Sequence, residues 1–92
     1  MLEHSRIRHK ALRKLFVGKS AKINARWQGK LERMLASLNV ITSPNELTFY
    51  RSHALTGDRK GTYSLHVSAN WRLTFRWDDT GPYDVDLEDY HD

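Results

Sequence analysis

The chain has no cysteine, which excludes a disulfide framework and any thiolate metal site. It also has no long apolar run: nothing approaches a membrane span, and its start lacks the apolar stretch of a secretory signal. A soluble, cytoplasmic protein is the expectation. There is no glycine-rich phosphate loop, because "GDRKG" at 57–61 lacks the spacing and the strand-to-helix setting of a nucleotide site. No serine nucleophile arrangement can be read. No His-x-x-x-His or carboxylate spacing supports a metal centre, so neither a metal nor a cofactor is expected.

What is present suits one small domain across residues 1–92. Its apolar share is 39%, with three Trp, four Tyr and three Phe, enough for a packed core rather than wholesale disorder. The net charge of +4 conceals a division. Residues 1–47 hold ten lysines and arginines against three acids, a net of +7, whereas residues 48–92 hold five against eight, a net of −3. A basic half of this kind is an electrostatic footprint for nucleic acid or an acidic partner; the plainer reading is a solvated helix surface.

Hydrophobic period divides the chain the same way. Ile7, Ala11, Leu12, Leu15 and Phe16 fall at helical spacing, with Gly18 as a stop and Ser20 as the next cap. Residues 2–6 are read as a short edge strand. Ile23, Trp27, Leu31, Met34, Leu35 and Leu38 form the apolar stripe of a second, longer helix, which Thr42-Ser43-Pro44-Asn45 ends. From Leu47 the period is two, and three half-buried strands follow, around Tyr63–Val67, Trp71–Trp77 and Tyr83–Leu87.

Short connections predict an antiparallel meander, and the apolar residues set its register. The turn Ser68-Ala69-Asn70 pairs Val67 with Trp71, Leu65 with Leu73 and Tyr63 with Phe75. A loop over Asp78–Pro82 pairs Trp77 with Tyr83, Phe75 with Val85 and Leu73 with Leu87. On the other face His66 meets Arg72, Arg76 meets Asp84 and Arg72 meets Glu88. The predicted fold is α+β: two helices on the aromatic face of a small antiparallel sheet, with a polar, partly cationic face left open.

Candidate chemical groups fall on that face and in the stretch "HALTGDRKG", which reads as a loop. They are His53, His66, Arg72, and Tyr90 with His91 after the last strand. Each has a plainer reading: Arg72 opposite Glu88 suits a cross-strand ion pair, a lone loop histidine is usually just exposed, and Tyr90 could close the core. Together they suit RNA cleavage. A 2′-hydroxyl attacks its adjacent phosphate when a base takes its proton, a cation stabilises the phosphoryl charge and an acid protonates the leaving 5′-oxygen. Imidazole fills either proton role near neutrality, and arginine offers a fixed planar fork for phosphate.

These residues also carry a family resemblance. "HALTGDRKGTYSLHVSANWRLTFRW" and the closing "VDLEDYH" closely resemble the HigB branch of the RelE/ParE toxin superfamily, and "IRHKALRKLFVGKS" looks like that family's first-helix segment. The combined pattern spans most of the chain and is tightest over 53–91. The resemblance implies a RelE-like fold and a ribosome-dependent messenger-RNA endoribonuclease, whose acid–base chemistry by these side chains needs no metal. It also implies a HigA-like helix-turn-helix antitoxin as inhibitor, and the ribosome with its RNA as partner. It assigns activity to His53, Asp89, Tyr90 and His91, and makes Arg72 a phosphate ligand. Arg59, Lys60 and Arg76 are further candidates for RNA phosphate. Two departures stand out: Thr56 where relatives often carry lysine, and the extra carboxylate of Asp92, which should favour protonated His91. The alternatives are a gyrase inhibitor of the ParE kind and a non-cleaving binding module of the same fold.

Overall fold

The computed structural model describes residues 1–89, apart from the side chains at 48 and 49. Two helices, α1 (Lys10–Phe16) and α2 (Ala25–Val40), precede a four-stranded sheet. Its strands are β1 (His53–Ala54), β2 (Thr62–His66), β3 (Trp71–Asp78) and β4 (Gly81–Asp89), all antiparallel and in sequence order. The α+β architecture read from the hydrophobic periods is therefore the one adopted.

Local chemistry sets the helix bounds. At the start of α1 the Nδ1 of His9 accepts from the amide of Leu12. The helix stops where Gly18 takes φ 81°: the Lys19 amide returns to the Lys14 carbonyl at 2.8 Å and the Gly18 amide to Leu15 at 3.1 Å. That pair of bonds is a Schellman cap, which only a left-handed residue closes without strain. The cap of α2 is Asn24, whose side chain accepts from the Arg26 amide at 2.9 Å, not Ser20. Leu31, Met34, Leu35 and Leu38 recur at the helical interval, and all are buried.

The helices pack on the sheet face carrying Leu65, Leu73, Phe75, Val85 and Leu87, forming one apolar cluster with Leu12 and Leu15. Trp27 of α2 meets Trp71 of β3 with ring centroids 5.3 Å apart. Between β2 and β3 the expected register holds, with Leu65 opposite Leu73, Tyr63 opposite Phe75 and His66 opposite Arg72.

Between β3 and β4 the register holds only at one end. Leu73 faces Leu87 and Arg72 faces Glu88, but the turn is two residues, Asp79 and Thr80, so Trp77 faces Pro82 and Arg76 faces Tyr83. The two ends are reconciled by a β-bulge that places Asp84 and Val85 opposite Phe75, with Asp84 at φ 50°. The extra residue moves Tyr83 to the polar face, where it lies under the guanidinium groups of Arg6 and Arg76 at 5.5 and 5.7 Å.

Three other expectations are corrected. Residues His4–Arg6 form a turn of 3₁₀-helix rather than an edge strand, and only Ile7 makes an isolated parallel bridge, to Val85. Arg6 spends its hydrogen-bonding capacity on the β3–β4 turn instead, forking onto Asp78 at 2.9 and 2.8 Å and reaching the carbonyls of Gly81 and Pro82. The stretch from Leu47 is not yet strand: Pro44–Tyr50 is 3₁₀-helix kinked at Leu47. Its entry is fixed by the Glu46 carboxylate, which accepts from the amides of Thr42 and Ser43. Finally, His53 is not in a loop but in β1, the sheet's short fourth strand.

Candidate functional site: a polar sheet face with two flanks

The face turned away from the helices carries two adjoining rows of side chains. One row runs His53, Ser64, Thr74, Asp86 across the four strands; the next runs His66, Arg72, Glu88. His53 and Arg72 thus share a face, two strands and one row apart. With strands about 4.8 Å apart and successive rows about 7 Å apart, their Cα atoms lie roughly 12 Å apart. His53 is exposed and Arg72 is half-buried. The Arg72 Nη1 donates to the carbonyls of Ser68 at 2.8 Å and Trp71 at 3.0 Å, which fixes the guanidinium by the β2–β3 turn.

The centre of this face is not bare. Arg59, from the 3₁₀ turn Gly57–Arg59, reaches over it and forks onto Glu88 with bonds of 2.8 and 2.7 Å. The Thr74 hydroxyl donates to the same carboxylate, and Thr62, Ser64 and Thr74 are buried beneath. The bidentate partner of Glu88 is therefore Arg59, not the Arg72 directly across from it. Arg59's hydrogen bonds, then Thr74's, hold the Glu88 carboxyl below its usual range against the opposing effect of burial.

The two flanks of the face differ in charge. Toward β4 a shallow basin of about 210 Å³ is bordered by Arg8, Arg59 and Arg76 but also by Asp58, Asp84, Asp86 and Glu88. That flank is mixed, not cationic. Beyond His66, on the other side, a groove of about 380 Å³ is lined by Lys30, Arg33, Tyr50, Arg51 and His66, with no acid among them. The His66 imidazole is held below its ordinary pKa by burial and by Arg72, Lys30 and Arg51, which favours its neutral form.

The structure brings together His53, Arg72, Arg59 and Arg76 on one face. Lys60 is exposed at the end of the 57–59 turn, and Thr56 precedes that turn without a side-chain cap bond. Asp89 is placed differently: it faces Trp71, so it shares the helix-covered side rather than Arg72's. Tyr90 and His91, with Asp92 beyond them, lie outside the described residues. Sequence reasoning missed the Glu88–Arg59 bridge and the cationic flank. The bridge has no periodic signal, because Arg59 belongs to no strand; the flank joins residues of α2, the 3₁₀ segment and β2. Among the described residues no group of three histidines or carboxylates is arranged to hold a metal. No described helix is long and apolar enough to cross a membrane.

A family model described as the RelE-like toxin of type II toxin–antitoxin systems, HigB, matches residues 5–91. The chain is 36% identical over 87 residues to a protein of Proteus vulgaris named Endoribonuclease HigB, covering 91% of this chain and 95% of that protein. A type II toxin has an antitoxin as its partner. With a helical pair over one side of the sheet and a polar side beneath Arg59, this chain belongs to the HigB family of RelE-like toxins.

Proposed function

We propose that this protein is an endoribonuclease that cleaves messenger RNA on the ribosome by acid–base chemistry without a metal, and is restrained by a HigA-like helix-turn-helix antitoxin. The observation that carries the reading is the common face of His53 and Arg72, two strands and one row apart. The relative named an endoribonuclease supports the reaction class.

In this mechanism a base, His53 or His91, removes the proton of a ribose 2′-hydroxyl. Its oxygen forms a bond to the adjacent phosphorus, and the bond from phosphorus to the 5′-oxygen breaks. The other histidine or Tyr90 gives a proton to that leaving oxygen, so the ends are a 2′,3′-cyclic phosphate and a 5′-hydroxyl. Arg72 stabilises the extra charge on the phosphoryl oxygens, with Arg59, Lys60 and Arg76 as further contacts to the strand. Asp89 acts through its neighbours rather than on substrate, consistent with its place opposite Trp71. The ribosome supplies positioning, which is worth several kcal/mol of barrier in well-oriented reactions. Action on translated messages makes the protein cytoplasmic.

The test is a translated reporter in a cell-free extract with cleavage ends mapped and their end groups identified. Cyclic phosphate ends that His53→Ala and Arg72→Ala each reduce by at least ~10²-fold are expected. Intact messages with altered DNA supercoiling would instead mark a gyrase inhibitor, and intact messages with unaltered supercoiling a binding module.

A further inference from the structure

The second flank of the polar face has features that the cleavage reaction does not use. Strand β1 pairs with β2 only at His53 and Ala54, so β2 runs on past it toward His66. Extending that register would set Arg51 alongside His66, but Arg51 adopts φ 53°, a left-handed conformation rare for a residue with a side chain. The chain turns there instead of pairing, and the space it leaves is the groove of Lys30, Arg33, Tyr50, Arg51 and His66.

Among the described residues three cations border this groove and no carboxylate does, in contrast to the basin on the β4 side with its four acids. One cation is fixed: the Lys30 Nζ donates to the Val67 carbonyl at 3.1 Å. Tyr50 packs partly on the core and, among the described residues, supplies the aromatic ring lining the groove. At about 380 Å³ the space falls within the range of small-ligand sites. It is continuous with the reacting face, because His66 is directly opposite Arg72.

Cations beside an aromatic ring are what a single RNA strand requires: phosphates need charge, and every base has a face that stacks. We infer that the groove lined by Lys30, Arg33, Tyr50, Arg51 and His66 binds a nucleotide of the RNA strand adjoining the one held at Arg72. Arg33 and Arg51 take its phosphate, Tyr50 supports its base, and the imidazole of His66, with one donor and one acceptor, meets the base edge. A strand crossing from Arg72 into this groove leaves the acidic β4 side uncrossed, so charge gives the strand a direction over the sheet. The inference rests on the nuclease reading for the role of Arg72, and extends it to a neighbouring subsite.

The test uses an eight-nucleotide single-stranded RNA with every 2′-hydroxyl methylated, which binds but cannot be cleaved, and the full-length protein. Binding is followed by fluorescence anisotropy across a salt series. For the double variant Arg33→Ala/Arg51→Ala, a loss of at least ~10-fold in affinity is expected, with the salt slope smaller by about 0.7, the contribution of one phosphate contact on a single strand. Tyr50→Leu should weaken binding with the slope unchanged. Circular dichroism confirms that both variants fold, and Arg33→Lys/Arg51→Lys, which keeps the charge, should restore most of the slope. Wild-type affinity and slope in the double variant would overturn the inference. So would polyglutamate binding as tightly as the RNA and weakening equally in that variant, which would assign the groove to an acidic protein segment. Because the probe cannot react, an inactive nuclease leaves this measurement readable. A wild type that cleaves translated messages, with a double variant that binds normally, removes the groove and leaves the nuclease standing.

Discussion

The two faces of the sheet are built from the same strands by opposite rules. Under the helices, Leu65, Leu73, Phe75 and Val85 are fully buried and packed by shape alone. On the other side Thr74 is equally buried, but what holds it is a directed set of bonds: Thr74 to Glu88, and Glu88 to Arg59. One face resists change in volume, and the other resists change in charge and geometry. With the reaction proposed for the polar face, stability and reaction are separable by mutation, although β2 and β3 carry side chains of both faces.

That separation can be broken in a graded way. The largest effect belongs to Phe75→Ala, which empties a fully buried ring site and should cost about 3–5 kcal/mol in urea unfolding; a loss below ~1 kcal/mol would mean the core does not pack as described. Next comes Arg72→Ala, whose 10²-fold or greater loss of cleavage corresponds to about 2.7 kcal/mol of barrier. Its unfolding free energy should stay within ~1 kcal/mol of wild type, since the hydrogen bonds that Arg72 donates to the Ser68 and Trp71 carbonyls are of modest net worth. A comparable fall in both quantities would erase the distinction between the faces.

Smaller effects probe the directed bonds themselves. Glu88→Gln should lower stability by ~1 kcal/mol or less at neutral pH, because its bridge to Arg59 is partly solvated. The sign of its pH dependence follows from the depressed folded-state pKa: its contribution is complete above the ordinary glutamate value of 4.5 and disappears as pH falls through the folded value. Unfolding midpoints measured from pH 7 to pH 3 should therefore fall less in Glu88→Gln than in wild type. Asp78, held low chiefly by the Arg6 hydrogen bonds, is shifted in the same direction. Asp78→Asn should flatten the acid limb without touching cleavage at neutral pH, which the translated reporter checks.

The contrast also explains what could be read without coordinates. Two-residue alternation encodes which side chains seek the core, so Leu65–Leu73, Tyr63–Phe75 and the helical stripe of Leu31, Met34, Leu35 and Leu38 were legible. Alternation carries no mark for an inserted residue, so the bulge at Asp84 went unseen and Tyr83 was assigned to the wrong side. A two-residue strand such as β1 is too short to display a period, and Pro44–Tyr50 is a short 3₁₀ segment kinked at Leu47, without the repeat of an α-helix or a strand. For the proposed site, His53 and Arg72 were nominated by their chemistry and the family pattern. Arg59's reach to Glu88 was not, because a long flexible side chain from a turn can meet any of several carboxylates and only the folded backbone selects one.

The clamp made by Arg6 has a consequence for how the molecule assembles. It joins residues 72 positions apart in the chain, and closing so wide a loop before other contacts exist carries an entropic cost that local hairpins avoid. The N-terminal segment should then dock last, after the β3–β4 hairpin is in place, and detach first under mild denaturant. In hydrogen exchange the Arg8 amide, bonded to Val85, would open before the amides of β3.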